Sequence, residues 1–141
     1  MGLVPLKAQV VFDWQTKRIL CTSYGKGKTH DLKLFRDSKT ALPKDSFWLA
    51  DSGYQGLQKL HPNTEIPYKR RKGWELEPYQ QHYNRALAKL RLSIENVNAK
   101  LKVFRILSER YRCRRRRFGL RFNLVAGIYN FELGLSSVLS Q

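Results

Sequence analysis

Apolar residues recur along this chain with two different periods. Residues 6–12, LKAQVVF, and 18–24, RILCTSY, are β-rich runs separated by DWQTK. That pattern predicts a β-hairpin with Asp13 at its turn. A loop, GKGK (25–28), follows. Thr29 or Asp31 can then cap a helix DLKLFRDSKTAL, in which Leu32, Phe35 and Leu42 make a partial apolar face before Pro43. The segment SFWLAD, ending at Asp51, is apolar without alternation, as expected of a strand buried on both faces. GLQKL predicts a short helical turn, and EIPYKRRKG a weak strand flattened by Pro67. Over residues 76–104 the period lengthens. Leu87, Leu90, Ile94, Val97, Leu101 and Phe104 recur at steps of three and four, the core face of a long helix, with Pro78 tolerated in its first turn. Beyond the basic run RYRCRRRR (110–117), FGLRFNLVAGIYNFELGLSSVL predicts a final, mostly apolar helix, with Leu124 to Phe131 in the core. The chain has no internal repeat and no low-complexity linker.

Strands alternating with helices imply an α/β fold, a mixed sheet covered by helices. Ligands in such folds bind beyond the strand ends, which is where Asp51 falls, followed at once by the turn-forming SGYQG. The two glycines there fit turn geometry or close backbone approach. Tyr54 suits either a core position or a contact near a bound ligand.

Composition narrows the partner. The chain has 141 residues, 42% of them hydrophobic, enough for one domain with a modest core. Lys and Arg number 27 against 11 Asp and Glu, a net charge of +16, which points to a polyanion, nucleic acid before a membrane surface. No apolar run reaches the ~18 residues of a membrane span. The opening residues carry neither a signal peptide nor a myristoylation pattern, so a cytoplasmic, nucleoid-associated protein is expected. Cys21 and Cys113 lack metal-ligand spacing and read as reduced thiols. His30, His61 and His82 share no ligand spacing either and read as surface or capping residues.

The chemistry concentrates in RLSIENVNAKLK (91–102). Arg91 precedes Glu95 by four residues, Asn98 follows it by three and Lys102 by seven, so one helical face carries all four. A carboxylate among cations suits a metal flanked by phosphate-binding groups. A solvated face with an Arg91–Glu95 pair suits the same spacing. The clusters Lys69, Arg70, Arg71, Lys72 and Arg114, Arg115, Arg116, Arg117 are candidate phosphate contacts, or else solvated loops.

LADSGYQG, then RLSIENVNAKLKVFRILSERYR, then NLVAGIYNF resembles, in that order, the C-terminal part of bacterial insertion-sequence transposases of the DDE superfamily. The resemblance covers about residues 6–131, leaving 132–141 as a C-terminal tail. It implies an RNase H-like mixed sheet flanked by helices. It makes Asp51 and Glu95 catalytic metal ligands for Mg²⁺ or Mn²⁺ in a two-metal site, with Arg91 and Lys102 on DNA; Asn98, on the same helix face, is a further candidate DNA contact. The family's Tyr three residues before the Arg is here Ala88. The family's first catalytic Asp ends a strand preceding the hairpin, and no residue of this sequence takes that position. Asp13 is most simply a turn residue, and Asp31, in THD, an N-cap. The expected function is therefore metal-dependent DNA strand cleavage and transfer, incomplete in this chain. The alternative is a non-catalytic basic DNA-binding remnant that modulates a full-length transposase. The implied partners are DNA (insertion-element ends and target) and a second copy or a full-length transposase, with no membrane.

Overall fold

A computed structural model describes residues 6–41, 43–104, 107 and 115–140. The hairpin forms as its sequence dictates. Strand β1 (Leu6–Phe12) pairs antiparallel with β2 (Ile19–Lys26), with a register shift between Val11 and Phe12. Asp13 holds the turn: its Oδ1 accepts the Gln15 N–H at 2.8 Å, and its main chain exchanges bonds with Lys17 and Arg18. Gly25 and Lys26, expected in a loop, extend β2. Gly25 lets the Leu34 side chain in close, since a Cβ there would sit 2.8 Å from Leu34 Cδ1.

Helix α1 (Asp31–Asp37) is shorter than its apolar pattern suggested. The Ser38 hydroxyl bonds back to Phe35 O at 2.6 Å and Lys39 adopts φ +51°, which turns the chain out of the helix. Its N-cap is His30, through the main chain only, so neither Thr29 nor Asp31 caps it. Strands β3 (Trp48–Leu49) and β4 (Thr64–Glu65) pair in parallel over two residues each, and single 3₁₀ turns (Ser52–Tyr54 and Leu57–Lys59) fill the connection. His61, expected as a surface or capping residue, is buried there. Its Nε2 lies 2.9 Å from Pro43 O and its ring packs edge-on against Trp48.

Helix α2 (Pro78–Leu101) begins with Pro78 in its first turn and with Gln80 Oε1 accepting the Glu77 N–H at 3.1 Å. Helix α3 (Arg115–Leu139) runs unbroken through residue 131, so the expected tail from 132 onward continues the same helix. Cys21 is a free thiol, half-buried, and burial pushes its pKa up; Cys113 lies outside the described residues.

The main core joins β2, α2 and α3 through Ile19, Val97, Leu101, Val125, Ala126 and Tyr129. Phe118 and Phe122 pack against Leu6, Val10 and Tyr24 beside it, and Phe35, Leu57 and Ile66 form a separate cluster under α1. Each fully buried Val, Leu, Ile or Phe side chain among these contributes about 1.5–3 kcal/mol by leaving water. Polar clamps fix α3 on the hairpin: the Asn130 amide bonds both Ile19 N–H (2.8 Å) and Ile19 C=O (2.9 Å), and the Tyr129 hydroxyl donates to Lys17 O (2.9 Å). The Asn130 side chain thus acts as a strand partner for the edge of β2.

The α/β class is as expected, but the hydrogen-bonded ladders form two separate sheets, β1–β2 and β3–β4, among the described residues. Between them lies a groove of about 970 Å³. Residues 8–13 of the hairpin and 46–51 around β3 line it without a gap. Side chains alternate across a strand, so an unbroken run of lining residues means that the strand's edge faces the groove.

Candidate functional site

Asp51 lies just beyond β3, where the chain turns into the first 3₁₀ segment. It is the N-cap of that segment: its Oδ1 accepts the Ser52 N–H at 2.7 Å. The two glycines that follow serve different ends. Gly56 has φ +96°, a left-handed turn that favours glycine, while at Gly53 an added Cβ would stand 2.1 Å from Asp31 Oδ2. Gly53 therefore admits the Asp31 carboxylate. Asp31, the first residue of α1, also pairs with Lys7 Nζ at 2.9 Å. The contact that fixes Asp31 comes from a residue far along the chain, and no local pattern in the sequence announces it.

The long helix meets this turn through Arg91. Its Nη2 lies 2.6 Å from Asp51 Oδ1, with Arg91 28% and Asp51 52% exposed. A half-exposed pair of this kind contributes about 0–1 kcal/mol, so its value here is positional. It fixes the face of α2 that looks toward the end of β3. Glu95 stands one turn further along, exposed and without an ion pair among the described residues. Asn98 and Lys102 line the groove together with Asp51, Asp31 and Asp13. Lys102 is also the C-cap of α2, its N–H bonded to Asn98 O.

Two buried donors in this region, Arg91 Nε and Gln9 Nε2, have no hydrogen-bond partner among the described residues. Gln9 is a polar residue inside the apolar run of β1, and it lines the groove. Its Oε1 accepts the Tyr54 hydroxyl at 3.2 Å. Burial, and then the negative charges of Asp31 and Asp51, push the Tyr54 pKa up to about 12. Tyr54 is thus a neutral donor at the junction of the hairpin with the Asp51 turn. Lys7 and Gln9 escaped the sequence reading because both sit in a strand whose pattern speaks only of burial.

The basic clusters divide. Lys69, Arg70, Arg71 and Lys72 are exposed on the loop between β4 and α2, where Arg70 comes within 3.8 Å of Glu75. Arg114 lies outside the described residues. Arg115 and Arg116 open α3, and Arg117 is exposed in its first turn.

Residues 5–130 match the family of DDE superfamily endonucleases. The chain belongs to that family. It is also 48% identical over 132 residues to a probable transposase for insertion sequence element IS702 from Microchaete diplosiphon. That match covers 94% of this chain and 48% of the relative, so the chain spans about half the length of the curated relative it matches. No solved structure matches it significantly.

Endonucleases of the DDE superfamily use divalent metal ions, and the donor set here can be tested against one. Among the described residues no group of three or more His, Cys, Asp or Glu side chains comes together closely enough to hold an ion. The Oδ1 of Asp51 is shared between Arg91 and Ser52. A two-ion site needs several convergent carboxylates. The described residues alone do not fit one. No helix among them is long and apolar enough to cross a membrane.

Proposed function

We propose that this chain is the DNA-holding part of a transposase domain for DNA strand cleavage and transfer, spanning residues 6–131 and RNase H-like in architecture. Asp51 and Glu95 are its catalytic carboxylates and would share one Mg²⁺ or Mn²⁺, a two-ion site needing a further carboxylate. The observation that carries this reading is the Arg91–Asp51 contact, which sets the Arg91, Glu95, Asn98, Lys102 face of α2 against the end of β3. The groove between the two sheets supports it. Two facing strand edges around about 970 Å³ are what a sheet lacking one central strand would present.

On that face the residues divide the work. Arg91 offers a planar fork for a phosphate and Lys102 a point charge. Asn98 supplies an amide that donates and accepts. The exposed cations at 69–72 and Arg117 hold the DNA backbone without reading its sequence.

A second reading has its own observation. With Arg91 on Asp51 and no carboxylate trio among the described residues, the chain alone is a basic DNA-binding module that modulates a full-length transposase. Mn²⁺ calorimetry on the wild type, Asp51→Ala and Glu95→Ala separates the two, with DNA binding followed in parallel. Heat of binding that vanishes in both variants puts the two carboxylates in one site. No Mn²⁺ binding, with salt-sensitive DNA binding kept, favours the non-catalytic module.

A further inference from the structure

The loop between β4 and α2 is anchored at both ends and open in the middle. At its root, the Tyr68 N–H donates to Asn84 Oδ1 (2.8 Å) and Asn84 Nδ2 donates to Tyr68 O (3.0 Å). The Tyr68 ring packs edge-on against Tyr79 and Tyr83, with centroids 6.1 and 5.2 Å away. At its exit, Gln80 caps Glu77. Between these anchors, Arg71 O accepts the Trp74 N–H at 3.1 Å, and Gly73 has φ +82°. A positive φ at the third residue is what a type II turn requires. The turn carries Trp74 at its end and four consecutive cations, residues 69–72, on its way in.

Trp74 is 76% exposed. The other two tryptophans are engaged. Trp14 has Lys17 Nζ 4.6 Å from its ring centre and donates from its indole nitrogen, and Trp48 packs on His61 and bonds Ser46. Among the described residues Trp74 has no ring contact and no indole hydrogen bond. A rigid turn that holds an indole in water beside four cations has the two parts of a single-strand contact: charge for the backbone, and a flat apolar face for a base. Bases inside a duplex are already stacked on each other, so only an unpaired base can use that face.

The location fits. Asn84 precedes Arg91 by seven residues, which on a helix is about 10 Å along the same face. A strand of DNA held by Arg91 and Lys102 therefore continues toward the turn.

We propose that Trp74 is a stacking platform for an unpaired base, which makes the 69–74 turn a single-stranded DNA contact beside the Asp51–Arg91 face. The proposal rests on the reading that this face holds DNA. Its test is fluorescence anisotropy at fixed salt with the full chain, using a labelled thymidine oligonucleotide of about twelve nucleotides and a duplex of the same length. Trp74→Ala should weaken single-strand binding about tenfold and leave duplex binding within about twofold, while Trp74→Phe, which keeps a ring, should recover most of the loss. Equal weakening for both DNAs, or none for the single strand, overturns the platform and leaves the DNA-holding face intact. A wild-type chain that binds neither DNA overturns the platform together with the reading beneath it. Trp74 is mostly exposed and outside the core clusters, so the variants should keep the fold, and circular dichroism verifies that they do.

Discussion

Helices α2 and α3 have nearly the same length, 24 and 25 residues, and both bury an apolar stripe in the main core. They differ in what they show to water. About a quarter turn round the helix from its buried Leu87, Val97 and Leu101, α2 presents Arg91, Glu95, Asn98 and Lys102, with Arg91 on Asp51 just beyond β3. Opposite its buried Phe118, Phe122 and Val125, α3 exposes Leu120, Leu124, Ile128, Phe131, Leu135 and Val138, at steps of four, four, three, four and three. A polar outer face is made for solvent or a polyanion. An apolar one at this spacing is made for another surface, because water gains nothing from it. The two sides of the molecule thus differ in chemistry: charge on α2, which suits the DNA proposed for it, and an uncovered apolar stripe on α3.

The sharpest way to break this contrast is to truncate α3 on either side. Phe122, 1% exposed, fills the space against Leu6, Val10 and Tyr24. Phe122→Ala should cost about 3–5 kcal/mol in chemical denaturation, whereas Leu124→Ala, two residues on but exposed, should cost less than ~1 kcal/mol. Equal losses would mean that the outer stripe of α3 is covered in the isolated chain. A smaller effect concerns association. Leu124→Gln with Leu135→Gln should lower self-association in sedimentation velocity without lowering Tm, and unchanged association would remove α3 as the sticky face. The smallest effect lies on the α2 side. The folded pKa of Tyr54, about 12, exceeds its ordinary value of 10.0. Its contribution to stability is complete below about pH 10 and lost as pH rises toward 12, where the unfolded chain has released a proton that the folded chain still holds. In Tyr54→Phe the stability loss across that window should be shallower, read from urea unfolding at stepped pH.

The parts that the sequence announced are those decided locally. The hairpin follows from two β-rich runs and a turn at Asp13, and α2 from its three- and four-residue apolar steps behind Pro78. Elements that need a partner were less legible. Strands β3 and β4 shrink to two residues each because ladder length depends on which edges are brought together, and residues 46–51 cannot encode that alone. His61 is buried because Pro43 O and Trp48 receive it, a tertiary circumstance. The same holds at the candidate site. The spacing of Arg91, Glu95, Asn98 and Lys102 put them on one face, but the pairing of Arg91 with Asp51 spans 40 residues. Asp31 reads as an N-cap until Gly53 is seen to make room for its carboxylate.

The central claim is that the α2 face beside Asp51 holds DNA through its phosphates. The most direct test is the salt dependence of duplex affinity in the wild type and in Arg91→Ala/Lys102→Ala. Each lost phosphate contact lowers the slope of log K against log salt by about 0.9. The account predicts a double variant that binds more weakly with a slope shallower by about two. An unchanged slope and affinity would contradict it, and would move DNA binding away from α2 to the basic clusters alone.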